Sequence, residues 1–174
     1  MRTLFVVVPA TLLLIVLSFF GLEYLQVGKP VHDAISADAR NGDLVLEGGF
    51  LRFSPSALDL DLEEVTEAAP IDLWRALFEV AERFHDDGRT FDRVQLSRGG
   101  SAVFIMSGED FATLGRQFGG GENPVYMIRK LPSMLHRPDG TDAFGSWSGG
   151  WLGVLSHEMG DVSEAANQWA SGRP

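Results

Sequence analysis

Residues 3–22 form a stretch of twenty residues, TLFVVVPATLLLIVLSFFGL, that contains no charged side chain. As a helix rising about 1.5 Å per residue, this stretch would be about 30 Å long, which matches the hydrocarbon core of a bilayer. A helix buried in a globular core would carry a polar face, whereas the interior of this stretch offers only Thr11 and Ser18. We therefore predict that residues 1–22 form a single-pass transmembrane anchor.

The anchor is expected to remain attached to the chain. A secretory signal has an apolar core of about 7 to 15 residues and a cleavage site of small residues. This run is longer and leads into the bulky segment SFFGLEYLQVG. The flanking charge is nearly balanced, with Arg2 on one side and Lys29 and Arg40 on the other. Because the first apolar segment usually sets orientation and its tail here is very short, we expect a cytoplasmic N-terminus in the bacterial inner membrane and a periplasmic domain.

The part of the chain after the anchor is strongly acidic. All 24 Asp and Glu residues and 13 of the 14 Lys and Arg residues follow residue 22, so this part has a net charge of −11. Such a charge repels nucleic acid and attracts basic proteins. We therefore expect no nucleic-acid partner. A basic soluble protein is a candidate further partner; the alternative is that the acidity only keeps the domain soluble. The chain has no cysteine, which excludes disulfides, iron–sulfur clusters and thiol chemistry.

Local patterns divide the remaining chain into a juxtamembrane segment, 23–42, and an α+β domain, 43–174. The pair Lys29-Pro30 is expected to end any helix that continues from the anchor. Two strands, 44–47 and 50–53, are predicted to form a hairpin around the Gly48-Gly49 pair. Apolar residues at helical spacing predict a helix over 71–87.

The second half of the domain is predicted in the same way. Residues 91–98 and 101–107 indicate a second hairpin around Gly99-Gly100, and Ser107 caps a following helix. Residues 123–131 are predicted to form a strand and 137–141 a turn. Asp161 is expected to begin a C-terminal helix that does not include His157. The order of elements predicts a mainly antiparallel sheet with helices packed against it.

No motif in the sequence indicates catalysis, a metal site or a cofactor. The pair His157-Glu158 begins a zinc-protease motif, but Asp161 occupies the position of its second histidine. The spacing around Ser148 does not match a nucleophile elbow, and the glycine-rich segments lack the context of a phosphate loop. We therefore expect no catalytic residues, no metal and no cofactor.

Two groups of residues are the candidate functional sites. Phe144, Trp147 and Trp151 lie among four glycines at 145–153 and are predicted to form a protein interface, because tryptophans are common interface anchors. The alternative is that their rings cover the sheet. A basic cluster is a candidate contact for an anion or lipid headgroups; the alternative is internal pairing with carboxylates. It consists of Arg129, Lys130, His136 and Arg137.

These observations predict a non-catalytic accessory or scaffold subunit of a larger membrane protein complex. Its helix would contact other integral membrane proteins, and its acidic domain would dock on partner subunits. The alternative is a membrane-tethered envelope enzyme or ligand-binding domain. Its site would lie between the tryptophan loop and the basic cluster, with His136 or His157 as base.

Overall fold

The computed structural model describes residues 21–145 and 151–173, which form a mixed α+β fold. Helices pack against a four-stranded sheet, as the sequence predicts at this level of detail. Within these residues, no helix combines the length and the apolarity needed to cross a bilayer. Apart from Gly21 and Leu22, the predicted anchor over residues 1–22 lies outside the described residues.

The sheet has the strand order β1-β2-β3-β4. The outer pairs, β1 with β2 and β3 with β4, are antiparallel, whereas β2 and β3 are parallel because a helix connects them. Gly99 and Gly100 adopt φ values of 54° and 77° in the turn between β3 and β4, which confirms the predicted second hairpin. The strands are Leu44–Phe50 (β1), Ala57–Val65 (β2), Arg93–Arg98 (β3) and Ser101–Ser107 (β4).

Five α-helices are present in the described part of the chain. They are Lys29–Ala37 (α1), Pro70–Asp86 (α2), Gly108–Gly119 (α3), Pro124–Lys130 (α4) and Trp151–Ser171 (α5). The predicted helices at α2 and α3 are confirmed, and the Ser107 side chain caps α3 by accepting a hydrogen bond from the Asp110 N–H. Between α4 and the turn at 137–141 lies a short 3₁₀ helix, Leu131–Met134.

The helical backbone runs without a break from residue 21 to 37, so the prediction that Lys29-Pro30 ends the helix is wrong. A π-helical turn over Tyr24–Gly28 precedes α1. Pro30 has no N–H, so the carbonyl of Gln26, four residues earlier, loses its usual donor. Arg89 Nη1 donates to that carbonyl over 2.7 Å. A contact from a distant loop therefore supplies the bond that the proline removes.

The glycine pair at 48–49 lies inside β1, so the predicted first hairpin is also wrong. A Cβ atom on Gly48 would lie 2.5 Å from Val31 Cγ2. The absence of a side chain therefore lets α1 approach the strand closely, rather than allowing a turn. The actual partner of β1 is β2, which the sequence analysis leaves unassigned. Its inward side chains alternate with acidic ones and are fully buried: Leu58, Leu60 and Leu62.

Two further predictions need correction. Residues 124–130 form a helix, not a strand, because the Asn123 side chain accepts from the Val125 N–H and Pro124 occupies the first helical turn. The C-terminal helix spans Trp151–Ser171 in the described chain and includes His157, so Asp161 does not begin it. The face of this helix that packs against the core is buried: Val162, Ala165, Ala166 and Trp169.

The core lies between the sheet and the helices and is centred on two tryptophans. Trp74 of α2 and Trp169 of α5 stack with ring centroids 5.6 Å apart. Each indole N–H donates to a backbone carbonyl, that of Val162 for Trp74 and that of Ser97 for Trp169. Burial of two satisfied indoles holds the C-terminal half of α5 against the sheet.

Candidate docking surface

The aromatic loop singled out in the sequence is described only at its two ends. Phe144 is half-buried, and its ring centroid lies 6.1 Å from that of Phe104 in β4, so this ring covers part of the sheet. Trp147 lies outside the described residues. Trp151 is the first residue of α5, and its side chain also lies outside them. A docking role for these three residues therefore stays a prediction.

The first two members of the basic cluster lie on α4. The guanidinium of Arg129 forms an ion pair with Glu158 of α5, with 2.6 Å between Nη2 and Oε2. Lys130 Nζ lies 4.7 Å from the centroid of the Tyr126 ring. The ion pair joins α4 to α5 and helps to hold the two helices side by side.

The other two members lie beside β4. His136 exchanges two backbone hydrogen bonds with Ile105, each 2.8 Å long, and its Nδ1 is 3.1 Å from Asp142 Oδ1. Arg137 Nη1 donates to the carbonyl of Asp142 over 2.9 Å. Arg129 and His136 thus lie beside carboxylates, as the internal-pairing alternative expects, whereas Lys130 and Arg137 contact a tyrosine ring and a backbone carbonyl. Contact with an anion or with lipid headgroups stays a prediction.

Helices α4 and α5, which the Arg129–Glu158 ion pair joins, each expose apolar side chains close in sequence to that pair. Val125 is 58% exposed, and Tyr126 and Met159 are each 40% exposed. The first two lie one turn before Arg129, and Met159 follows Glu158 directly. We call Val125, Tyr126 and Met159 the α4–α5 surface. Protein interfaces combine exposed apolar side chains with charged and polar ones.

The N-terminal half of α5 adds to this surface. Residues 156–160 are exposed or half-buried, and burial in the described side chains of the helix begins at Val162. Among the described side chains of this stretch, Met159 is the large apolar one.

A polar network links α1 to α2 on another side of the domain. The buried Asn41 donates to Glu79 Oε2 over 2.6 Å and accepts from Arg75 Nη2 over 3.2 Å. Burial raises the pKa of Glu79 above its usual value. Hydrogen bonds from Arg40 hold the pKa of Asp38 well below its usual value. The network ties the start of the domain to α2, although the buried Nε of Arg75 has no hydrogen-bond partner among the described residues.

The alternative function requires a concave site near the basic cluster. A depression of about 460 Å³ does adjoin His136, between the end of β4 and the turn at 137–141, with Arg93, Ser107 and Asp139 in its wall. Arg129 and Lys130 do not line it, so the structure does not unite the predicted cluster into one pocket. Within residues 21–145 and 151–173, no group of three histidines or carboxylates is arranged to hold a metal ion.

The α4–α5 surface is absent from the sequence predictions because residues 123–131 are predicted there to form a strand. The pair Asn123-Pro124 is nonetheless a helix-start signal, and it is the local feature from which α4 and its exposed face can be predicted. Comparison of the chain with protein-family models, curated proteins and solved structures finds no match.

Proposed function

We propose that this protein is a non-catalytic, single-pass accessory or scaffold subunit of a larger complex in the bacterial inner membrane. Its acidic periplasmic domain docks on partner subunits through the α4–α5 surface. The observation that carries this proposal is the exposure of Val125, Tyr126 and Met159 on two helices that a charged pair joins. Large exposed apolar side chains that lie together mark interaction sites more often than isolated ones do.

The entry of the chain into the domain supports a membrane-bound role. The helical backbone runs directly from residue 21 into α1, and Val27 and Val31 of this helix are fully buried. No flexible tether separates the last apolar residues of the predicted anchor from the folded domain. A domain held in this way stays beside the bilayer, within reach of other integral membrane subunits that contact the anchor.

The proposal is tested by the mass at which the protein migrates after native membranes are dissolved in mild detergent. The wild-type chain should migrate in one large assembly. The double substitution Val125→Ser and Met159→Ser should release it, and so should Trp147→Ala with Trp151→Ala. The matched control is Ile71→Ser on α2, which removes an apolar side chain that is 48% exposed elsewhere on the surface.

Two outcomes would contradict the proposal. Release by Ile71→Ser as readily as by the double substitution would show that the effect is not local to the α4–α5 surface. Migration of the wild-type chain alone, near 19.0 kDa plus detergent, would favour the tethered enzyme or ligand-binding domain. The depression beside His136 would then be the first place to search for a ligand.

A further inference from the structure

We infer that the end of the domain at which the chain enters is a contact surface for anionic phospholipid headgroups, with Arg52 as its cationic contact. This inference rests on the proposed function, because it requires that residues 3–22 span the bilayer. It adds the orientation of the domain and the side chains that touch the lipid.

Three segments meet at this end of the domain and are joined by hydrogen bonds. The Phe50 N–H at the end of β1 donates to Glu23 Oε1 over 2.7 Å. The Asp92 N–H donates to the Ser56 carbonyl, also over 2.7 Å, and so joins the loop after α2 to the turn after β1. Arg89, from the same loop, donates to the carbonyl of Gln26. The helical entry and the two turns therefore form one rigid face.

The uncharged stretch that precedes Glu23 in the sequence determines which part of a bilayer this face would contact. The uncharged stretch of the sequence ends at Leu22, directly before Glu23. Because the backbone is helical from residue 21 onward, Glu23 lies about one helical step, roughly 1.5 Å, beyond the last residue of that uncharged stretch. A stretch that spans the hydrocarbon core would thus place Glu23 and the two neighbouring turns at the level of the headgroups.

The exposed side chains at this face suit a headgroup layer. Tyr24 is 57% exposed and Leu25 is 62% exposed, and a tyrosine at this depth matches the aromatic belt of membrane proteins. Arg52 is exposed, at the tip of the turn after β1, and makes no ion pair with another described residue. Arg52 has a φ of 50°, a positive value that non-glycine residues rarely adopt.

Charge complementarity identifies anionic phosphate as the partner of Arg52. The domain as a whole is acidic and is repelled by anionic lipid, so contact requires a local cation within a Debye length, about 8–10 Å, of the membrane. The acidic residues near this face include Glu23, which binds the Phe50 N–H, the exposed Asp92, and the exposed Glu109, which follows the Gly108 that donates to the Asp92 carbonyl. Arg89, which donates to the Gln26 carbonyl, and the exposed Arg93, which follows Asp92 directly, add positive charge near this face, and Arg52 is the exposed arginine at the tip of the turn after β1.

The orientation is tested with the full-length chain, whose lack of cysteine permits single-site labelling. A fluorophore is attached at Thr90→Cys, on the proposed face, or at Ser101→Cys, at the opposite end of the strands. Both positions are exposed, and the five steps of β3 alone separate the two ends by roughly 17 Å. In vesicles of phosphatidylglycerol and phosphatidylcholine with a headgroup-attached quencher, the label at 90 should be quenched at least about threefold more strongly.

The role of Arg52 is tested in the same vesicles. Arg52→Glu should reduce quenching at position 90 by about twofold, and the reduction should be smaller in pure phosphatidylcholine. The matched control is Arg116→Glu, an exposed arginine two turns into α3, which should change neither label.

Equal quenching at the two positions, or no effect of Arg52→Glu, would overturn the inference even if the protein floats with the vesicles. An equal effect of Arg52→Glu in both lipid mixtures would overturn the assignment of anionic lipid. Failure of the protein to float after an alkaline wash would instead show that the chain is not anchored, and would contradict the proposed function together with the inference.

Discussion

At several positions, the residue type that the fold tolerates is determined by the packing of a segment that is distant in the chain. Gly115 of α3 is an example, because a Cβ atom there would lie 2.2 Å from the backbone carbonyl oxygen of Ala81 in α2. Gly160 of α5 is the opposite case, since a Cβ atom there would meet nothing within 4 Å. The two glycines are both helical, so local sequence does not distinguish them.

These two positions should respond in opposite directions to the same substitution. Gly115→Ala should lower the free energy of unfolding by about 1–3 kcal/mol, because a backbone oxygen cannot move away cheaply. Gly160→Ala should raise it by about 0.5–1 kcal/mol, because alanine favours the helix. Urea unfolding of the full chain in detergent, followed by tryptophan fluorescence, measures both. Equal effects would show that α2 and α3 do not approach as closely as described.

The titration of the Asp59 carboxyl affects the stability of the fold. Burial raises the pKa of its carboxyl above the usual 3.8, the neighbouring Asp61 raises it further, and the hydrogen bond from Ser97 opposes the shift. A raised pKa in the folded state means that the fold loses stability as pH rises through that pKa. Asp59→Asn should therefore raise the melting temperature at pH 7 by about 1–3 °C, and the gain should vanish below pH 3.8.

Asp139 provides a control, because its pKa shift has the opposite sign. Hydrogen bonds from the backbone and side chain of Thr141 lower the pKa of this exposed carboxyl. Its stabilising effect is present above the usual pKa and is lost as pH falls. Asp139→Asn should lower the melting temperature at pH 7 and have no effect at low pH. The same sign of change for both variants at pH 7 would contradict this account.

At the scale of elements, the first helix depends on a tertiary contact for its continuity. Pro30 deprives the Gln26 carbonyl of its donor, and Arg89 replaces it from the loop after α2. The Arg89 guanidinium also lies 6.0 Å from the centroid of the Phe50 ring. The helix, the loop and the end of β1 are therefore coupled through one side chain.

A double-mutant cycle can measure this coupling. Arg89→Ala should lower the free energy of unfolding by about 1–2 kcal/mol, because it leaves the Gln26 carbonyl without a donor. In a Pro30→Ala background the loss should be smaller by about 1 kcal/mol, because the new N–H at residue 30 can serve that carbonyl. Additive effects of the two substitutions would show that Arg89 acts elsewhere.

At the scale of the whole molecule, the two faces of the sheet differ in character. The inward residues of β2 are buried leucines, whereas the outward ones are Asp59, Asp61 and Glu63. Glu47 lies opposite Asp61 across the β1–β2 pair and extends this acidic face. The negative charge of Asp61 raises the pKa of Glu63, and burial and Glu47 add to the shift, as expected where carboxylates crowd together.

A basic soluble partner should therefore bind this face, and salt should weaken the binding. With poly-L-lysine as the probe, affinity for the full chain in detergent should fall about tenfold or more between low and physiological ionic strength. The double substitution Glu47→Gln and Glu63→Gln should weaken binding more than Glu109→Gln with Glu122→Gln, which removes the same charge elsewhere. Salt-independent binding, or equal effects of the two pairs, would contradict a role for the acidic face.

The features that the sequence by itself determined are those with a local physical cause. The apolar run at 3–22 and the net charge of −11 are properties of composition and do not depend on folding. The hairpin at Gly99-Gly100 follows from backbone conformations that glycine adopts readily, and the cap of α3 from a side chain three residues away. The α4 helix also has a local signal, because the pair Asn123-Pro124 predicts the start of a helix and not a strand.

Only the tertiary structure decided the features whose cause is distant in the chain. Gly48 lies in a strand because Val31 packs against it, and Pro30 lies within a continuous helical segment because Arg89 serves the freed carbonyl. The exposure of Val125 and Met159 likewise follows from how α4 and the start of α5 lie against the core. Local patterns state which conformations a residue can adopt, whereas packing and hydrogen-bond satisfaction across the chain select one of them.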